Sequence, residues 1–205
     1  RIRKQFYIEN TEKVGKLPIE KFDIIFSTTA GYRAALLANQ LEFDGEIVLY
    51  DYCQENLDIK QMIIEMNMSL KEIESYWKSR KLRMVNGSWR RRWNNSTPNY
   101  MSARIDQYTF EDLRKLEEKM QRNYDIEYWL MDLISPNYDK ILEKIKGKSV
   151  FFDATNIFSY HVSHAYYTLD ELVSSYKKLL DVLTSSNGTF YRGTLPTKQW
   201  ELKWI

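Results

Sequence analysis

The stretch Asp23-Ile-Ile-Phe-Ser27, followed at once by Thr28-Thr-Ala-Gly31 and then by the Ala- and Leu-rich segment Tyr32 to Leu41, decides the fold. An apolar run of this length, bounded by polar residues, is too short for a helix and reads as a buried strand. The glycine-containing turn and the helical segment behind it complete a strand–turn–helix unit.

Working outward, the same alternation recurs. Glu46-Ile-Val-Leu-Tyr50 is a second buried strand ending at Asp51, and Gln54 to Met66 carries Leu57, Ile63, Ile64 and Met66 at helical spacing. Capping boxes at Ser69…Glu72 and Thr109…Asp112 announce two more helices. Asp125 to Leu130 is a third strand, and Ser135-Pro136 is expected to start a helix, with Ser as N-cap and Pro at the first helical position. Ser149-Val-Phe-Phe-Asp153 is a fourth strand, and Thr168…Glu171 caps an amphipathic helix with one apolar face. Thr189 to Arg192 and Gln199 to Trp204 are the final strands. Short buried strands alternating with amphipathic helices predict parallel βαβ units. The expected fold class is therefore α/β: a doubly wound, mostly parallel, Rossmann-like sheet with helices on both faces and the Asp23 strand at its centre.

The 205 residues are long enough to bury a proper core, and they read as one domain over residues 1–205. An irregular basic-aromatic insertion, about residues 67–123, separates strands two and three. The chain opens at Arg1, which reads as a piece of a longer polypeptide. Cys53 is the only cysteine, so no intrachain disulfide and no multi-cysteine metal site can form. A cytoplasmic setting fits this, as does a virion. No apolar run is long enough to span a bilayer, and a net charge of +2 gives no general affinity for polyanions.

In an open parallel sheet, ligands bind beyond the carboxyl ends of the strands, where strand order reverses. That rule singles out Thr28, Thr29, Gly31 and Tyr32 after the first strand, Asp51 and Tyr52 after the second, and Asp132 after the third. After the fourth it singles out Asp153 to Asn156, with Tyr160. Asp51 lies about 20 residues beyond Gly31, the spacing at which a carboxylate meets ribose hydroxyls. A strand-end Asp that caps the following helix is the plain alternative.

This set resembles class I S-adenosylmethionine (SAM)-dependent methyltransferases, whose Rossmann-type domain carries an acid after strand two and a polar or acidic residue after strand three. The resemblance covers about residues 20–193 outside the insertion. The run Ala154-Thr-Asn-Ile-Phe-Ser-Tyr160 looks like the Asn-hydrophobic-Tyr motif of some protein methyltransferases. Together with Thr-Thr-Ala-Gly and Asp-Tyr, it is similar to a methyltransferase-like group of bacteriophages. The resemblance implies SAM as cofactor, held by Thr28, Thr29, Gly31, Asp51 and Asp132. It places the methyl acceptor near Asn156, Tyr160 and His161. The departure is the first loop, which has one glycine where the family usually has two or three. A non-catalytic Rossmann-like module of a larger protein or particle is the alternative that this departure favours.

His161 and His164 follow the Asn-Ile-Phe-Ser-Tyr segment; an unperturbed His titrates near neutrality, so they are candidates for a general base, and plain loop or first-turn residues are the favoured alternative. Trp89-Arg90-Arg91-Arg92-Trp93 interleaves guanidinium groups with indoles. That composition suits a protein partner or oligomer contact. Single-stranded nucleic acid is the second option, through phosphate pairing and base stacking.

Overall fold

Ile24, Ile25 and Phe26 have no solvent exposure at all, and the sheet is built outward from them. The computed structural model describes residues 5–9, 17–80, 83–86, 104–105, 108–155, 157–159, 161–196 and 200–204. The three buried residues open strand β1, Ile24–Thr28. Parallel to it on one side run β2, Glu46–Asp51, and then β3, Ile126–Leu130. On the other side run β4, Val150–Thr155, and then β5, Thr189–Thr194, both also parallel. The last strand, β6, Trp200–Trp204, returns antiparallel to β5. The spatial order is thus β3-β2-β1-β4-β5-β6. This is the expected doubly wound, Rossmann-like sheet, and its strand order reverses between β1 and β4, so the switch point lies at their carboxyl ends.

Helices cover both faces. On one, α1 (Arg33–Gln40), α2 (Gln54–Glu65), α3 (Leu70–Arg80) and α4 (Phe110–Asn123) supply Leu37, Ile59, Ile63, Ile73, Leu113 and Met120. These pack on Ile25, Ile47, Leu49 and Phe151 of the sheet. On the other face, α5 (Tyr138–Ile145) and α7 (Leu169–Leu183) pack Ile141, Ile145, Leu172 and Leu179 on Ile24, Phe26, Val48 and Phe152. A short helix, α6 (His161–Tyr166), leads into α7. Among the described residues, no helix is long and apolar enough to cross a membrane.

Much of the aromatic content lines the α5/α7 face. Phe26 stacks on Phe152 at 5.0 Å between ring centres and meets the edge of Trp129 at 5.6 Å. Phe152 continues the row to Tyr191, which meets Tyr176 of α7 edge-on. Such pairs add attraction beyond the area they bury.

The segment between β2 and β3 holds more regular structure than its composition suggests. Besides α3 and α4, Arg83–Asn86 pairs in parallel with Gln5–Glu9, and Arg104–Ile105 pairs antiparallel with Tyr108–Thr109. The capping boxes at Thr109 and Thr168 form as expected. The helix expected at Ser135-Pro136 starts later, at Tyr138, with Asn137 as its cap accepting from Lys140 N at 3.2 Å. The reason is local: Ser135 N bonds back to Asp132 O at 3.1 Å, so the two residues belong to the turn leaving β3.

Gly45 marks the tightest approach at the amino edge of the sheet, where a Cβ would run into the carbonyl oxygen of Asp23. That carbonyl also accepts from Glu46 N at 3.0 Å and cannot move away freely. Gly45→Ala is expected to cost about 1–3 kcal/mol by overpacking. Chemical denaturation would register this as a lower midpoint with unchanged slope.

Candidate functional site

The turn between β1 and α1 sits at the switch point, and three of its residues are anchored. Thr29 extends the ladder by donating its N–H to Tyr50 O at 3.1 Å, and its hydroxyl donates to Asp51 Oδ2 at 2.5 Å. Gly31 adopts φ +61°, which a residue with a Cβ reaches only at a cost, and its carbonyl accepts from Lys60 Nζ at 2.7 Å. Arg33, the first residue of α1, turns its guanidinium onto Asp153 of β4, with Nε bonded to Oδ2 and Nη2 to Oδ1 at 3.1 Å. Both members of this pair are buried, at 1% and 0% side-chain exposure. Tyr50 donates its hydroxyl to the Asp153 carbonyl at 2.7 Å. Burial, reinforced by the Asp153 charge, raises the Tyr50 phenol well above its ordinary range and keeps it protonated.

Asp51 ends β2 on the α1/α2 side. Besides Thr29, its carboxylate accepts from Cys53 N at 2.9 Å and from the Asn56 amide at 3.3 and 3.4 Å. It therefore ties the residues at the start of α2 to the first turn, without acting as the helix cap, since no side chain caps α2. Burial pushes the carboxyl above the usual aspartate range, although the bonds from Thr29, Cys53 and Asn56 pull it down. Beside it the surface is apolar: Tyr52 is 47% exposed, and Leu130, the register partner of Asp51 on β3, is 61% exposed.

The other expected positions divide. Thr28 ends β1 with a buried hydroxyl that has no hydrogen-bond partner among the described residues, and the same holds for the fully buried Ser27. Asp132 is bonded to the opposite helical layer, accepting from Ile134 N at 3.0 Å and from the Tyr167 hydroxyl at 2.7 Å. That contact, helped by burial, pushes the Tyr167 phenol up to about 12. Thus Thr29, Gly31 and Asp51 converge, whereas Asp132 is committed elsewhere. His161 opens α6. Asn156, Tyr160 and the Trp89–Trp93 segment lie outside the described residues. Thr155, just before Asn156, has φ +50°, a strained value for a β-branched residue and of the kind concentrated at functional sites.

Arg33, Asn56 and Lys60 join these residues without any motif to mark them. The signal they carry is a polar or charged side chain among the buried apolar residues of a helix, Arg33 in α1 and the pair Asn56 and Lys60, four residues apart, in α2. No family model matches the chain, and no curated protein is significantly similar to it.

Removing one member of the buried pair takes its two-point contact from the other. Asp153→Ala should cost about 3–5 kcal/mol, whereas the volume-matched double replacement Arg33→Met with Asp153→Leu should recover most of that loss. Equilibrium denaturation of the single and double variants would measure both.

Proposed function

We propose that the chain is a methyltransferase-like domain that binds an adenosyl ligand of the SAM type at the carboxyl edge of β1 and β2. One observation carries this reading: a strand-end carboxylate, Asp51, is bonded to Thr29 of the glycine-containing β1–α1 turn, and its chain neighbour Tyr52 and its register partner Leu130 are exposed. A carboxylate accepts paired bonds from a vicinal diol, and an exposed ring beside an aliphatic side chain offers a flat apolar seat for a base.

The residues present fit the adenosine half of such a ligand. The Asn56 contacts to Asp51 are long, and the Thr29 hydroxyl can rotate, so ribose hydroxyls would replace these two donors while Cys53 N–H keeps its bond. When bound, SAM supplies an activated methyl group; the acceptor would be received near Asn156, Tyr160 and His161, where β4 leads into α6.

A second reading, a non-catalytic Rossmann-like module, is favoured by the Arg33–Asp153 pair. It places protein charges at the switch point, the position where other domains of this architecture receive ligand.

Calorimetric titration with S-adenosylhomocysteine separates the two. Binding to the wild type, weakened about tenfold to a hundredfold by Asp51→Asn, is expected from loss of a charge-assisted acceptor. Affinity should also fall on acidification, and at a higher pH than for an ordinary aspartate, because the Asp51 carboxyl takes up its proton early. No wild-type binding at millimolar ligand would remove the adenosyl reading and leave the non-catalytic module.

A further inference from the structure

The buried charge cluster on the α1 side is not used by the binding site as described above. Lys60 of α2, Arg114 and Glu117 of α4 are each at most 5% exposed. Glu117 accepts from Lys60 through one carboxylate oxygen and from Arg114 through the other. Arg114 reaches Asn67 Oδ1 at 3.2 Å, in the turn that ends α2. Lys60 also donates to the Gly31 carbonyl, and its ammonium lies 5.1 Å from the centre of the Tyr32 ring.

Three buried charges are an expensive way to join two helices, since well-packed apolar residues commonly do so at least as well. What apolar residues could not supply is the bond to Gly31. A backbone carbonyl at a left-handed glycine has no ladder partner of its own, and a buried ammonium meets it with a charge-assisted hydrogen bond. Burial lowers the Lys60 pKa, and the adjacent Glu117 carboxylate opposes that shift and favours the charged form.

We propose that Lys60 is a positioning residue of the switch-point crevice, one that fixes the backbone of the Thr29–Arg33 turn through the Gly31 carbonyl while Glu117 maintains its charge. The turn in turn presents Thr29 to Asp51 and Arg33 to Asp153. Because Glu117 belongs to α4, the seating of that helix against α2 controls the shape of the first turn. The consequence for ligand affinity rests on the adenosyl reading; the control of the turn does not.

Amide hydrogen exchange of Lys60→Met, alongside the wild type and Glu117→Gln, tests the proposal. Exchange across residues 29–34 should accelerate by at least about tenfold in Lys60→Met, the loss of one charge-assisted bond. Amides of β3 and α5 should stay at wild-type rates. Glu117→Gln keeps an acceptor for Lys60 and should loosen the same turn less, which decides the matter if Lys60→Met fails to fold. A turn that exchanges at the wild-type rate in the folded variants, or a uniform acceleration over the whole chain, would overturn the assignment. S-adenosylhomocysteine is titrated in parallel. If the wild type binds it, Lys60→Met should weaken it at least about tenfold. Absence of wild-type binding would count against the adenosyl reading alone, because the exchange pattern is measured without ligand.

Discussion

Arg33 and Asp153 are both shut away from bulk solvent, and much of the sheet's geometry follows from keeping them together. Taking two such charges out of solvent costs several kcal/mol per ion, repaid only by close, two-point contact. Arg33 begins the helix that follows β1, and Asp153 stands on β4, across the reversal in strand order. The pair therefore cross-links the two halves of the doubly wound sheet. It also fixes register. On β4, Phe152 faces α5 and α7, while Phe151 faces the α1 side. A slip of one residue would turn Asp153 into the aromatic layer and leave Arg33 buried without it.

The two layers on the sheet consequently do different work. The α5/α7 side is a continuous apolar and aromatic face, from Trp129 through Phe26 and Phe152 to Tyr191. The α1/α2/α4 side interrupts its apolar packing with Asp51, Asp153, Lys60, Arg114 and Glu117, and these polar groups bond to one another or to the first turn. Polar groups in low dielectric strengthen one another when satisfied and are costly when left over, so such a layer specifies one arrangement more sharply than an oily one.

The sheet is legible in the sequence because a buried parallel strand is written as a short apolar run, as β1, β2 and the Val-Phe-Phe start of β4 are; β3, nearer the edge, is interrupted by Glu127 and stands out by its ring-rich Tyr-Trp pair instead. The antiparallel return of β6 was not legible, since Gln199 to Trp204 fits either direction. Ser-Pro is a good helix opening, yet α5 begins later because the Asp132 turn claims that segment. For the site, position along the chain brought Thr29, Gly31 and Asp51 together, as strand ends and spacing can. It could not show that Asp132 would bond to Tyr167 on the far layer, a choice made by tertiary packing. Nor could it pair Arg33 with Asp153 or Lys60 with Glu117, residues separated by 120 and 57 positions.

The amino and carboxyl edges of the sheet carry similar residue types with different consequences. At the amino edge, Lys144 bonds Glu46 and Glu127, and Lys148 bonds Glu46, all partly open to water and redundant with one another. Exposed pairs of this kind contribute little, because solvent competes for each group. At the carboxyl edge the anchors are buried and fall on alternate residues of one turn: Thr29 on Asp51, Gly31 on Lys60, Arg33 on Asp153. A glycine-rich turn gains close backbone approach but must be held by its surroundings, since glycine brings the most freedom to lose. Here a turn with one glycine is held by contacts from three different elements, and those of Lys60 and Asp153 hold it whichever donor Asp51 accepts from, so little freedom remains to be lost. Such a turn binds well only a ligand that matches it as it stands, and the Lys60 anchor decides what that shape is.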